Sequence, residues 1–111
     1  PCITIGKVGF FKMEIAKNIK MIEGLQCQIL SLVSQLFLSM QDSAATTAER
    51  AEILANTEVM LYLLAEKLGV SPKNLDQKAI SRMKLGILEE DSSEEWKAAL
   101  LGVLHHLENR S

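Results

Sequence analysis

Apolar residues recur every three or four positions between Ile15 and Met40, which is the spacing of an amphipathic helix. At 100° per residue, most of the aliphatic side chains fall on one broad arc, and most of the glutamines and serines fall on the other. No charge occurs in the 18 residues from Gly24 to Gln41, and seven of them are Gln or Ser. Four glutamines facing lipid would be costly. The pattern therefore predicts an amphipathic helix and no membrane span.

The length of this first helix predicts self-association. Its 26 residues would extend about 39 Å, whereas a compact domain of this size has a radius of gyration of about 13 Å. Either the helix kinks at Gly24 or it finds a partner chain, and we favour the partner. A two-fold homodimer would set the helix against its own copy. The predicted dimer interface consists of Ile22, Leu25, Ile29, Val33 and Leu36.

A second helix is predicted between a capping signal and a glycine. Thr46 is followed three residues later by Glu49, which is the spacing of a capping box, and the helix stops at Gly69. Residues with helical spacing, all apolar except Thr57, are predicted to share one face: Ile53, Leu54, Thr57, Met60, Leu61, Leu64 and Leu68.

Two more helices follow. Ser71 and Pro72 are typical of an N-cap and a first helical turn, and Ser92 with Glu95 predicts a second capping box. The last helix is predicted to bury Trp96, Ala99, Leu100, Val103, Leu104 and Leu107. These patterns predict an all-α fold, in which residues 13–111 form a single domain, a compact bundle of about four helices.

Residues 1–12 carry a different pattern. Ile3 and Ile5 alternate with polar or small residues, and Gly6 and Gly9 disfavour a helix. We therefore predict a short extended N-terminal arm before the bundle.

Composition and charge give few indications of function. The net charge is −2, so the whole chain lacks the basic character of a protein that binds nucleic acid or an acidic membrane. Two cysteines are too few for a disulfide framework, and no secretory signal pattern occurs at the start. We expect a cytoplasmic protein with reduced thiols, and Cys27 is predicted to be a buried packing residue.

The segment "LLAEKLGVSPKNLDQKAISRM" resembles a bacterial helix-turn-helix in its small residue Ala65, its Gly69 and its apolar Leu75. The resemblance implies a DNA-binding corner over residues 61–82. It departs from the pattern at Lys78, where an apolar residue is expected, and at Asp76, whose charge would repel phosphate. A purely structural corner requires the same capping residues, and we favour it. The alternative DNA contacts are Lys73, Lys78, Arg82 and Lys84.

Catalytic and metal-binding patterns are weak. Glu49 and Glu52 could hold Mg²⁺ as in the helical nucleotide pyrophosphatases, but those need a second acidic pair on a neighbouring helix. Glu58 and Glu66 do not have that spacing, and we expect the acidic loop from Glu89 to Glu95 to be too mobile to hold a cation. His105 and His106 are consecutive, so they point about 100° apart and are expected at the surface. We therefore predict no enzyme, no catalytic residue, no metal and no cofactor.

The leading hypothesis is a non-catalytic helical protein that acts through self-association and through binding a partner. A protein partner is one option. Another is an apolar small ligand held between helices, because the aliphatic interior contains adaptable methionines. These are Met13, Met21, Met40, Met60 and Met83.

Overall fold

The computed structural model describes the backbone of residues 2–110 and the side chains of residues 14–110. It is 86% helical. The described residues form four α-helices and no strand: α1 Cys2–Gln41, α2 Thr47–Lys67, α3 Pro72–Leu88 and α4 Glu94–Arg110. The predicted all-α class and the number of helices are confirmed.

The helices group as two compact units. The first unit ends at Gly69 and contains α1 and α2, and the second begins at Val70 and contains α3 and α4. Within each unit the two helices pack directly on each other. The domain that we predicted over residues 13–111 is therefore divided into two helix pairs.

The N-terminal segment corrects the prediction of an extended arm. The backbone of residues 2–12 is helical and continuous with the rest of α1. Each added residue of a helix gains one backbone hydrogen bond, and this cooperative gain opposes the cost of about 1 kcal/mol for each glycine in the segment. The helix also runs through Gly24, so the alternative in which it breaks there is not observed.

The helix starts follow the capping chemistry that the sequence predicts. The Thr46 hydroxyl accepts a hydrogen bond from the Glu49 backbone N–H at 3.1 Å, and the Glu49 carboxylate accepts one from the Thr46 N–H at 3.4 Å. The Ser71 hydroxyl accepts from the Asn74 N–H at 3.1 Å. The predicted cap of α4 was one residue early, because the Ser93 hydroxyl, not that of Ser92, accepts from the Trp96 N–H at 3.1 Å. Side-chain oxygens therefore satisfy backbone donors at three helix starts.

The α1–α2 pair is antiparallel and only moderately covered. Near the loop, Arg50 of α2 donates a hydrogen bond of 2.9 Å to the carbonyl oxygen of Ser39 in the last turn of α1. This contact satisfies a helix-end carbonyl that has no partner within its own helix. Ala65, at 9% exposed, is the only residue classed as buried among the described residues of this pair.

The α3–α4 pair is packed more closely. Met83 and Leu104 are buried between the helices, at 8% and 7% exposed. Gly86 is also buried, and a Cβ atom placed on it would lie 2.8 Å from Cδ1 of Leu100. The absence of a side chain therefore allows the close approach of the two helices. Ion pairs join the helices as well, from Lys84 to Glu108 at 3.7 Å and from Arg110 to Asp76 at 3.0 Å.

The buried face predicted for α4 is correct at its centre and wrong at its edges. Leu104 is buried, and Leu100 and Leu107 are half-buried. Trp96 and Val103 are more than half exposed, at 58% and 52%, because a helix with one packing partner covers only one stripe.

Candidate functional site

A polar cleft lies along one flank of the α1–α2 pair. Its volume is about 350 Å³. Residues that are three, four or seven apart share one face of a helix, which explains why the α1 residues meet at this cleft. The lining residues are Gln28, Ser31, Leu32, Gln35, Asn56 and Met60.

The polar groups of the cleft are uncharged. Three carboxamides, on Gln28, Gln35 and Asn56, each carry two N–H donors and one carbonyl acceptor, and Ser31 adds a hydroxyl. The Gln35 amide donates a hydrogen bond of 3.2 Å to the Ser31 hydroxyl one turn earlier in α1. The cleft can therefore donate and accept hydrogen bonds without offering a charge.

The two glutamates considered for Mg²⁺, Glu49 and Glu52, are not joined by further metal-binding side chains in the described part of the chain. Glu49 and Glu52 are both exposed, and the Glu49 carboxylate takes part in the helix cap. The segment of α1 from Gly24 to Gln41 contains no acidic residue. Among the described residues, no group of three or more His, Cys, Asp or Glu side chains is placed to hold a metal ion. The segment from Gly24 to Gln41 therefore supplies no second acidic pair for Mg²⁺.

The opposite flank of the α1–α2 pair is apolar and uncovered. Leu54, Leu61 and Leu68 follow one another at intervals of seven residues on α2 and are 52%, 46% and 62% exposed. Leu30 and Phe37, also seven apart, are 71% and 58% exposed on α1. We call these five residues the apolar flank. A groove of about 560 Å³ runs along it and is lined by Gln26, Cys27, Ile29, Leu30, Leu61 and Leu64.

The apolar flank differs from the dimer interface that the sequence predicts. The predicted residues are all half-buried within the first unit, whereas Leu30 and Phe37 stand beside them in the open. The predicted set is Ile22, Leu25, Ile29, Val33 and Leu36. Their role in a dimer stays a prediction, and the apolar flank is an exposed surface of the same helix pair that a partner could cover.

Cys27 lies in the groove of the apolar flank, and its thiol is free and exposed. The prediction of a buried packing thiol is therefore wrong. Cys27 projects about 160° away from Ile29 around the α1 axis, so it lies outside the arc that packs on α2.

The basic residues of the predicted DNA-binding corner do not form one patch on α3. At 100° per residue, Lys73 and Lys84 lie on one side of the helix, and Lys78 and Arg82 lie on the other. Arg82 also pairs with Glu89 at 3.5 Å, so its charge is partly neutralised by its own chain. Gly69 has a positive φ of 86°, as the helix stop requires, and this backbone geometry is equally that of a plain corner.

The two histidines are placed as the sequence predicts. His105 and His106 are both exposed on α4.

The polar cleft itself was not predicted. The sequence shows Gln28, Ser31 and Gln35 on one face of α1, but the same pattern is typical of a solvated helix surface. The missing information was the position of Asn56 and Met60 on the facing helix, which follows from how α1 and α2 pack.

The described residues form a small all-α protein built from two antiparallel helix pairs. The α1–α2 pair carries the polar cleft and the uncovered apolar flank. The chain belongs to the MazG-like family, whose sequence model matches residues 15–100, from within α1 to within α4. Searches of curated proteins and of solved structures find no match.

Proposed function

We propose that this chain is a non-catalytic member of the MazG-like family that acts through self-association and partner binding. The observation that carries the proposal is the apolar flank of the α1–α2 pair, where five large side chains are close to half exposed or more. On a typical soluble monomer, the largest apolar patch covers roughly 300–600 Å², and such a patch often marks an interaction site. We therefore take the apolar flank as the interaction surface.

The uncharged lining of the polar cleft supports the non-catalytic part of the proposal. The MazG-like family is associated with nucleotide pyrophosphatases. Hydrolysis of a nucleotide assisted by Mg²⁺ needs oxygen ligands with negative charge, which carboxylates supply. The described residues of the α1–α2 cleft do not fit such an ion, because they offer amides, and the exposed Glu49 and Glu52 face no acidic residue in the segment from Gly24 to Gln41.

The spacing of the apolar flank supports a second copy as the occupant. Leu54, Leu61 and Leu68 repeat every seven residues, as do Leu30 and Phe37, and a repeat of seven is the pattern of helices that pack side by side over several turns. None of the five flank positions carries a charge that would require a complementary partner. Two antiparallel pairs joined by this flank would form a four-helix bundle with two-fold symmetry.

A membrane span is the competing explanation for so much apolar surface. By length and composition, Glu14–Gln41 could cross a membrane, with a mean hydropathy of 1.3 and 6% of the apolar window buried. Core helices of soluble proteins and signal sequences satisfy the same criterion, although core helices are mostly buried and this window is not. Our proposal remains a cytoplasmic protein, because Gln28, Ser31 and Gln35 would lose water to lipid on the cleft side of α1.

Sedimentation equilibrium tests the proposal. The unmodified chain should show a dimer mass at micromolar concentration. Leu61→Lys places a charge in the middle of the apolar flank and should weaken association at least tenfold. Ala55→Lys is the matched control, because this exposed position of α2 lies about 120° away from Leu61 around the helix axis.

Two further measurements complete the test. Circular dichroism on Leu61→Lys should show that the helices remain, and labelling of Cys27 by a maleimide should be slower in the unmodified chain than in the variant. A monomeric mass for the unmodified chain overturns self-association. The non-catalytic part of the proposal is overturned if the chain releases pyrophosphate from nucleoside triphosphates in the presence of Mg²⁺, at a rate proportional to the protein concentration.

A further inference from the structure

We infer that the α1–α2 cleft is a binding site that works without a metal. Its ligand is an uncharged group that presents a hydrogen-bond donor and an acceptor side by side along one edge. An adenine base and a primary carboxamide share this chemistry. The inference rests on the non-catalytic part of the proposed function, and it does not depend on self-association.

The side chains of the cleft match such an edge. A carboxamide presents a donor and an acceptor side by side, so it can pair with adenine or with another amide through two hydrogen bonds. Gln28 and Gln35 lie two turns apart on α1, and Asn56 faces them from α2. The hydrogen bond from Gln35 to Ser31 holds one of these carboxamides against the wall of the cleft.

The apolar residues of the cleft provide a surface for a flat group. Leu32 and Met60 are half-buried, in contrast to the exposed amides around them. A thioether sulfur makes favourable contacts with aromatic rings. The volume of about 350 Å³ lies near the lower end of the range of small-molecule sites, roughly 300–1,000 Å³, and the cleft is open to solvent.

A divalent cation does not suit the same cleft. Mg²⁺ gives up its water shell reluctantly, and carboxylate charge is what compensates for the loss. None of the residues that line the cleft is acidic. The cleft therefore differs from a magnesium-dependent nucleotide site in its lack of negative charge. For the same reason, carboxylates placed in the cleft should create a cation site.

Ligand titration followed by NMR tests the binding. In a buffer with a chelator, adenosine and nicotinamide are titrated separately, and the side-chain amide signals of Gln35 and Asn56 should shift with at least one of them. The two probes distinguish a base from a carboxamide as the source of the shared edge. Gln35→Leu should weaken binding at least tenfold, and Gln41→Leu, outside the cleft, should not. Silence with both probes at millimolar concentration overturns the inference.

Cation binding gives an independent test. The double variant Gln35→Glu, Asn56→Asp puts one carboxylate on each helix of the cleft and should bind Mn²⁺ at least tenfold more tightly than the unmodified chain. The control is Gln41→Glu, Ala55→Asp, which adds the same charge outside the cleft. Equal Mn²⁺ affinity in the unmodified chain and the cleft variant overturns the charge argument. The dimer mass, measured on the same samples, reports separately on self-association.

Discussion

The two helix pairs differ in how well they cover their own apolar residues. The α3–α4 pair is the shorter one, yet it buries Met83, Gly86 and Leu104 and joins its helices through ion pairs. The α1–α2 pair has longer and more apolar helices, but Ala65 is its only buried residue among those described. The number of apolar residues in a helix pair therefore does not determine how many of them are buried. What decides burial is whether the facing surfaces allow close approach.

The cause of the difference lies at the helix contacts. Gly86 has no side chain, so α4 reaches α3 closely enough for Leu100 to sit against the backbone. In the α1–α2 pair, Gln28, Gln35 and Asn56 occupy one flank of the contact and keep it polar. The five residues of the apolar flank lie on the other side of the contact, where two helices alone do not cover them.

The largest expected effect is on the well-packed pair. Leu104→Ala removes a side chain that is 7% exposed, and it should lower the free energy of unfolding by about 2–4 kcal/mol through lost burial and a residual cavity. Leu101→Ala is the control, because Leu101 is 46% exposed on the same helix and should cost much less. Urea denaturation measures both. Equal losses for the two variants would contradict the assignment of Leu104 to the packed core.

The second prediction separates the two pairs by their response to protein concentration. If a second copy covers the apolar flank, each tenfold rise in concentration should stabilise the dimer by about 1.4 kcal/mol. Hydrogen exchange should then slow in α1 and α2 as concentration rises, with a smaller change in α3 and α4. Exchange in α1 and α2 that is independent of concentration would show that these helices need no second copy.

The third prediction uses two glycines as a matched pair. At Gly24 a Cβ atom would meet nothing within 4 Å, so Gly24→Ala should stabilise the chain by about 0.5–1 kcal/mol through helix propensity alone. At Gly86 the added Cβ would lie 2.8 Å from Leu100 Cδ1, and the need to move that side chain should cancel or reverse the gain. Thermal unfolding compares the two variants. A larger gain at Gly86 than at Gly24 would contradict the close approach of α3 and α4.

The sequence was sufficient where structure depends on near neighbours. The helix caps were predicted correctly at Thr46 with Glu49, at Ser71 with Pro72 and at Gly69. A cap is made by residues that are three positions apart or fewer, so the local sequence is enough to predict it. Periodicity likewise predicted four helices and the all-α class.

The sequence was insufficient where structure depends on which surfaces meet. Leu54, Leu61 and Leu68 have the same helical spacing as the covered residues of α2, so periodicity assigned them to one common face. Only the packing of α1 against α2 separates them from it. The cleft was missed for the same reason, since Asn56 is about 20 residues away from Gln35 in sequence and joins it only in the folded pair.

The unequal lengths of α1 and α2 have a consequence for proteolysis. At 1.5 Å per residue, the 40 residues of α1 extend about 60 Å and the 21 residues of α2 about 32 Å. All side chains from Glu14 to Met21 are exposed, and a helix without tertiary contacts is marginal in water. Local unfolding there would open the bonds after Lys17 and Lys20 to trypsin without unfolding the rest. The fragment that begins at Met21 would retain both the neutral cleft and the apolar flank.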